Sequence, residues 1–364
     1  MIKLLIVDDS ALMRRVLGEV FEREGGFELA FARDGVEALA QLHAFGPDVI
    51  TLDVQMPRMN GLSCLDRIMV ERPCPVVMLS ALTSAGAAAA LDALDLGAFD
   101  FIPKPDGAVS LAIDDFAPIL IAKVRAASAS GVRGSHRLAE RLRARRPAGS
   151  GPIAPPQAMM PAAKLHPVAE GQLPGVVIIG TSTGGPPALE AVLTALPAGF
   201  PWPILVVQHM PATFTASLSQ RLDTLCALHV MEVTRPTPLS AGCVYIAGGN
   251  ADMMVSLRSS GLIALPVPAA PEHRWHPSVD RLVASAMIHL PPQQLIGVLM
   301  TGMGNDGAKS MSALRAAGGR TIAEAEETAI VWGMPGELVR AGGASLVAPL
   351  EAIAGRLAEL VAAS

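Results

Sequence analysis

The sequence predicts an α/β protein of two domains: an N-terminal, doubly wound unit of five strands and a C-terminal unit built on a second parallel sheet. Three observations predict it. Short apolar runs alternate with segments of helical period through most of the chain. The 364 residues exceed what a single core of ordinary size requires. The charge balance also reverses along the chain: residues 1–130 hold 11 Lys/Arg against 18 Asp/Glu, residues 131–173 hold 7 against 2, and residues 174–364 hold 10 against 13. Two acidic stretches thus flank a basic one, and a composition of 51% hydrophobic and 17% charged residues is that of a globular protein.

In the first unit the expected strands are KLLIV (3–7), FELAFA (27–32), DVITL (48–52), PVVML (75–79) and FDFI (99–102), with helical patterns starting near Ser10, Gly35, Gly61, Ser84 and Ile113. Strands that alternate with helices form a parallel sheet, which binds ligands beyond the carboxyl ends of its strands. Polar residues fall at those ends: Asp8 and Asp9 after the first, Asp53 at the third, Ser80 at the fourth and Lys104 after the fifth. Three carboxylates on one edge repel one another unless a cation sits among them, and hard oxygen donors suit Mg²⁺. Lys104 could then neutralise a phosphoryl group on Asp53, with the Ser80 hydroxyl donating to it. An Asp-Asp-Ser sequence can also simply cap the next helix, but capping accounts for neither Asp53 nor Lys104.

Residues 126–173 are expected to link the domains. RLAERLRARR has the pattern of a short helix, and the Pro-, Ala- and Gly-rich stretch after it that of an extended tether. Its arginines suit either a solvated stretch or docking onto an acidic partner. Nucleic acid is not an expected partner, since neither flanking domain has the basic balance such binding needs. No apolar stretch is long enough to span a bilayer and no signal-peptide pattern opens the chain, so a cytoplasmic protein not embedded in a membrane is expected. The four cysteines form no Cys-x-x-Cys pair and are expected to be buried, reduced thiols.

The second domain, 174–361, offers the strands GVVII, PILVVQ, GCVYIA and LIGVLM and the helices PPALEAVLTALP, TASLSQRLDTL and DGAKSMSALRAAG. Three loops at strand ends contain reactive side chains: Ser182 in GTSTGG, His209 in VVQHMP and Asp306 in TGMGNDG. Gly180-x-Ser182-x-Gly184 fits a sharp strand-to-helix turn that exposes a nucleophile. A serine hydroxyl needs a base, for which His209 is the candidate, and the base needs an orienting carboxylate such as Asp306. Backbone N–H groups of TGMG could stabilise an oxyanion. Each part has a plainer reading: a tight turn or phosphate cradle for GTSTGG, a structural histidine, and an aspartate capping the helix that follows it. Asp252 with His276 or His289 would give another triad. Placement of all three loops on one edge of a parallel sheet favours Ser182, His209 and Asp306.

The motifs IVDDS, DVQMPRMNG, LSA and FIPKP resemble those of a two-component receiver domain over residues 1–125. That resemblance implies Asp53 as phosphoacceptor, Mg²⁺ held by Asp8, Asp9, Asp53 and the Gln55 carbonyl, and Ser80, Phe101 and Lys104 as switch residues. IGTSTGG, QHMP, HPSVD, LMTGMGNDG and AEAEETAIVWGMP are similar to the C-terminal domain of the chemotaxis protein-glutamate methylesterase/glutaminase family. This second resemblance implies Ser182 as nucleophile, His209 as base and Asp306 as its acid, with Thr183 and the Met303 backbone near the oxyanion and no cofactor for hydrolysis. It also implies a histidine kinase as phosphodonor and, as substrates, glutamyl methyl esters or glutamines on chemoreceptor helices. Two positions depart from the family's common pattern: Gln55, where Glu is frequent, and His276, where Arg is frequent. A receiver joined to a non-catalytic, partner-binding module is the competing reading. A DNA-binding output conflicts with the acidic balance of residues 174–364 and the lack of a helix-turn-helix pattern.

Overall fold

The computed structural model describes residues 1–105, 109–130 and 173–363, and the chain divides into two compact units, Met1–Gln157 and Ala158–Ser364. The expected helix RLAERLRARR and the tether after it lie outside the described residues.

The first unit contains β1 (Ile2–Val7), β2 (Phe27–Ala32), β3 (Val49–Asp53), β4 (Val76–Ser80) and β5 (Asp100–Pro103). All pair in parallel, in the order β2-β1-β3-β4-β5. The helices Ala11–Glu24, Gly35–Ala44, Gly61–Glu71, Ser84–Asp95 and Val109–Ser130 connect or follow them. Side-chain caps start four of these helices: Ser10 accepts from the Met13 N–H, Asp34 from Val36 and Glu37, Asn60 from Ser63 and Thr83 from Gly86. Each cap satisfies a donor with no partner inside the helix. The last helix starts at Val109, ahead of the expected Ile113, and runs to Ser130, past the expected boundary at 125. Strand order reverses between β1 and β3, so the crevice at that reversal is bordered by Asp8, Asp9 and Asp53.

The second unit contains β6 (Val176–Thr181), β7 (Ile204–Gln208), β8 (His229–Val233), β9 (Thr237–Pro238), β10 (Cys243–Ala247), β11 (Ala251–Arg258), β12 (Gly261–Pro268), β13 (Leu295–Leu299), β14 (Arg320–Glu324) and β15 (Leu346–Ala348). Seven of these form a parallel sheet in the order β15-β14-β13-β6-β7-β10-β8. The expected strands are β6, β7, β10 and β13. They are buried throughout, hence their unbroken apolar sequence. The other parallel strands were not foreseen, because β8 is a partly exposed edge of mixed polarity, β15 is an edge of only three residues and β14 begins and ends on charged residues. A three-stranded antiparallel sheet, β11-β12-β9, is an addition to the expected architecture. Its hairpin closes through Ser259 and Ser260 between the paired Arg258 and Gly261.

Among the described residues, six α-helices accompany these sheets: Gly185–Thr194, Ala212–Leu225, Val279–His289, Ala308–Ala316, Met334–Arg340 and Leu350–Ala362. The chain starts at β6, builds outward through β7 to β10 and β8, then returns to lay β13 against the other side of β6. That return creates a switch point between β6 and β13. Trp202, Tyr245 and Phe214 are the largest fully buried side chains of this unit. All four cysteines are buried and none is in a disulfide, and burial pushes Cys64 and Cys74 up to about 12, which leaves those two unreactive thiols.

Candidate active site and phosphoacceptor site

At the carboxyl edge of the large sheet, three adjacent strands deliver the three predicted loops: β6 leads to Ser182, β7 to His209 and β13 to residues 300–306. The backbone joins them. Ser182 N–H donates to the Thr301 carbonyl at 3.0 Å and His209 N–H to the Thr181 carbonyl at 3.1 Å. The turn after Ser182 needs glycine at 184, where φ is +76° and a Cβ would come within 2.7 Å of the Ile330 side chain. Gly184 thereby lets the chain reverse into the helix Gly185–Thr194, whose first N–H groups face the edge that carries Ser182.

Asp306 is buried and does not cap the helix after it. Gly307 occupies that cap position, without a side-chain bond. The carboxylate instead sits on the N-terminus of Val279–His289, accepting from the N–H groups of Val279 (2.7 Å) and Asp280 (3.0 Å) and from the Ser278 hydroxyl (3.1 Å). Asp280 returns the arrangement by accepting from the Ser310 N–H at 2.9 Å, so each helix is held by an aspartate from the other segment. The fourth donor to Asp306 is His209 Nε2, at 2.9 Å. Burial raises the carboxyl, but the His209 bond and charge and the two N–H donors outweigh it and hold Asp306 below its ordinary range.

An ionised Asp306 places the imidazole proton on Nε2 and leaves Nδ1 as the basic nitrogen. Nδ1 is buried and has no hydrogen-bond partner among the described residues. Ser182 is half-buried, and His209 makes its side-chain hydrogen bond to Asp306 rather than to Ser182. Thr183 is buried and holds its turn through its carbonyl, which accepts from Thr301 Oγ1 at 2.8 Å. Met303 lies half-exposed in the turn after β13.

Several supporting residues were not singled out in the sequence. Gln208 donates from Nε2 to the Ser182 carbonyl (2.9 Å) and accepts from the Thr181 hydroxyl (2.7 Å), locking the Ser182 turn to the strand that leads to His209. Thr301 accepts from the Val331 N–H at 3.0 Å, and its own N–H donates to the fully buried Glu324 at 2.7 Å. Burial pushes Glu324 up to about 7 despite the Thr301 and Thr328 bonds, and the charge of Glu351 adds to the rise. The available signals were polar residues ending apolar runs: Gln in ILVVQ and Glu in RTIAE.

Of the alternative triad, Asp252 and His276 are paired, whereas His289 is remote from both. His276 Nδ1 does lie 3.2 Å from Asp252, but that carboxylate is also held by Arg281 (2.7 Å) and the Ser278 N–H (2.8 Å), and it braces the segment leading into Val279–His289. Arg281 thus makes an ion pair beside His276, the position where Arg is frequent in the family. His289 is at the far end of that helix, about 15 Å from Asp306 at 1.5 Å per residue.

In the first unit, Asp8, Asp9 and Asp53 each bring a carboxylate oxygen within 4.8 Å of the others. Lys104 Nζ lies 2.8 Å from both Asp8 and Asp53. Burial and the Asp8 charge raise Asp53 more than Lys104 lowers it. Three carboxylates against one ammonium leave an excess of negative charge on hard oxygens, a donor set that fits a divalent cation such as Mg²⁺. The Gln55 backbone reaches this cluster through its N–H, 3.4 Å from Asp53 Oδ1. The Ser80 hydroxyl donates to the Gly86 carbonyl at 2.8 Å, so it must turn to meet a phosphoryl group. Phe101 is buried, with the Lys123 ammonium 5.9 Å from its ring centre.

Residues 177–357 match the CheB methylesterase family, and residues 4–112 match the response regulator receiver domain. The chain is 56% identical over 360 residues to protein-glutamate methylesterase/protein-glutamine glutaminase 2 of Rhodopseudomonas palustris, spanning 99% of this chain and 98% of the relative. It is 51% identical over 366 residues to the third such protein of Rhodospirillum rubrum, spanning 98% and 95%. With the second such protein of Carboxydothermus hydrogenoformans the identity is 41% over 365 residues, spanning 99% of each.

Proposed function

The chain belongs to the protein-glutamate methylesterase/protein-glutamine glutaminase family, with a receiver domain ahead of a CheB methylesterase domain, and from that premise we propose that Ser182, His209 and Asp306 hydrolyse glutamyl methyl esters and glutamines on chemoreceptor helices. The enzyme is a carboxylic ester hydrolase and glutaminase. The observation that carries the triad reading is the His209 Nε2 bond to Asp306 at 2.9 Å, which leaves a buried, unpartnered Nδ1 on the edge where β6 delivers Ser182.

Ser182 Oγ attacks the ester or amide carbonyl while its proton passes to His209 Nδ1. The oxyanion gathers N–H donors from the Thr183 turn and the Met303 backbone. His209 returns the proton to the leaving group, which departs as methanol or ammonia. Water, deprotonated by the same nitrogen, then cleaves the acyl-enzyme, releasing glutamate and restoring the serine. Throughout, Asp306 keeps the imidazole in one tautomer and stabilises its cationic form.

Asp53 is the proposed phosphoacceptor, with a histidine kinase as donor. Mg²⁺ held by Asp8, Asp9, Asp53 and the Gln55 carbonyl would screen the charge of the incoming phosphoryl group. Lys104 is placed to pair with that group, and Ser80 and Phe101 to respond to it. Phosphorylation raises activity in this reading, which gives the enzyme a part in chemotactic adaptation. Among the described residues no helix is long and apolar enough to cross a membrane. The proposed place of action is the cytoplasm, on receptor segments. The test is methanol release from methylated receptor by the full-length protein in the presence of a phosphodonor. No methanol from the wild-type protein, or equal release from Ser182→Ala, overturns the assignment.

A further inference from the structure

We propose that Trp275 is a positioning residue for the base, holding the His209 ring in the plane from which Nδ1 serves the nucleophile. The inference rests on the reading of His209 as base. The indole and imidazole lie parallel, their planes 5° apart and their centroids separated by 5.9 Å. The side-chain anchor of the imidazole is its bond to Asp306, and a ring held at one atom can still tilt about that bond. A flat neighbour restricts the tilt.

The indole has a second contact within the site. Gly304 has φ +87°, and a Cβ there would come within 2.5 Å of Trp275 Cζ2, so the indole packs directly on the turn that follows β13. One side chain therefore spaces the base from the turn that carries Met303. Its own segment is firmly held: Ser278, three residues on, bonds to both Asp252 and Asp306. The exposed Arg274 puts its guanidinium 5.3 Å from the Trp275 ring centre, a further stacking partner for the indole.

The stack also favours the reaction electronically. Once His209 has taken the serine proton it is a cation within the roughly 6 Å over which an indole face attracts positive charge. The neutral imidazole gains less, so the contribution grows towards the transition state, as acceleration requires. It corresponds to roughly 3- to 30-fold in rate.

The test uses the full-length protein, a helical peptide bearing a γ-methyl glutamyl ester, and a fluorophosphonate that labels an activated serine. Trp275→Phe keeps an aromatic face, whereas Trp275→Leu and Trp275→Met keep apolar bulk without one. We expect the Phe variant within about threefold of wild-type kcat and the other two slower by about tenfold, with KM unchanged and fluorophosphonate labelling slowed by the same factor. Equal kcat and labelling across Phe, Leu and Met overturns the proposal. So does a loss confined to KM. His209→Gln separates the two readings: an active His209→Gln removes the base assignment and this proposal with it, while an inactive one beside wild-type rates for Leu and Met removes only the role of Trp275.

Discussion

Asp306 shows how one carboxylate can brace a helix start and, in the proposed triad, orient the base as well. It accepts four hydrogen bonds, three from the helix start at 278–280 and one from His209. Asp306→Asn should therefore lower kcat by about 10⁴, while Ser182→Ala and His209→Ala each lower it by about 10⁶. The double variant of Ser182 and His209 should be hardly slower than either single one, because both serve one proton transfer. Steady-state kinetics on a methyl ester check this, and losses that multiply contradict a shared mechanism. The Asn variant should also lose about 1–3 kcal/mol of stability, since an amide replaces a buried anion at a helix N-terminus; denaturant unfolding measures it. In the other unit, Asp53→Asn should abolish uptake of acid-labile phosphate from a phosphodonor, whereas Asp9→Asn, which leaves the acceptor in place, should chiefly weaken Mg²⁺ binding. Phosphate persisting on the Asp53 variant would exclude it as acceptor.

Among the elements, β14 has the most distinctive electrostatics, because it ends in a buried carboxylate that makes no ion pair among the described residues. Glu324 is fully buried and bonded to Thr301 and Thr328. Its pKa rises from 4.5 to about 7 on folding, so the folded state binds this proton more tightly than the unfolded chain does. Its contribution to stability is fully present below about pH 4.5 and is lost as pH climbs to about 7, a change on the order of 3 kcal/mol. Glu324→Gln keeps the shape and both hydrogen-bonding partners and removes the titration. The stability difference between the variant and wild type should thus shift in favour of the variant between pH 4.5 and pH 7 and level off above it. Unfolding curves across that range check the sign, and a difference independent of pH refutes the assignment to Glu324. Strand edges explain the reading errors at this scale: fully buried β6, β7, β10 and β13 announce themselves as apolar runs of five or six residues, whereas β8 mixes polar with apolar residues and β15 is only three residues long, so neither does.

At the scale of the whole chain, a basic stretch of about 40 residues separates two acidic ones, and if it links the units as the sequence leads us to expect, it would raise the effective concentration of each for the other. We expect the receiver to restrain the catalytic unit until Asp53 is phosphorylated. A tenfold activation needs only about 1.4 kcal/mol of difference between restrained and released forms. A fragment from about residue 174 should therefore outpace the unphosphorylated full-length enzyme, and full-length Asp53→Asn should stay slow with or without a phosphodonor. Both are to be measured on a small soluble ester and on intact receptor. A fragment no faster on either substrate would mean that the receiver acts otherwise, for example by recruitment.

The sequence by itself determined the class of both units and which side chains are candidates for their chemistry, since buried parallel strands must be apolar and the loops beyond them are where chemistry can be placed. Ser182, His209 and Asp306 were legible for that reason, as were Asp8, Asp9, Asp53 and Lys104. Only the tertiary structure decided which partner each one has. Asp306 looked like a cap for the helix immediately after it, yet it caps one that begins 27 residues earlier, at Val279. Which imidazole nitrogen faces the acid, the stacking of Trp275 on His209, and the burial of Glu324 against Thr301 likewise depend on segments brought together by strand order. Local sequence carries the period of a strand or helix, but not which distant donor a side chain will meet, because that is set by packing across the sheet.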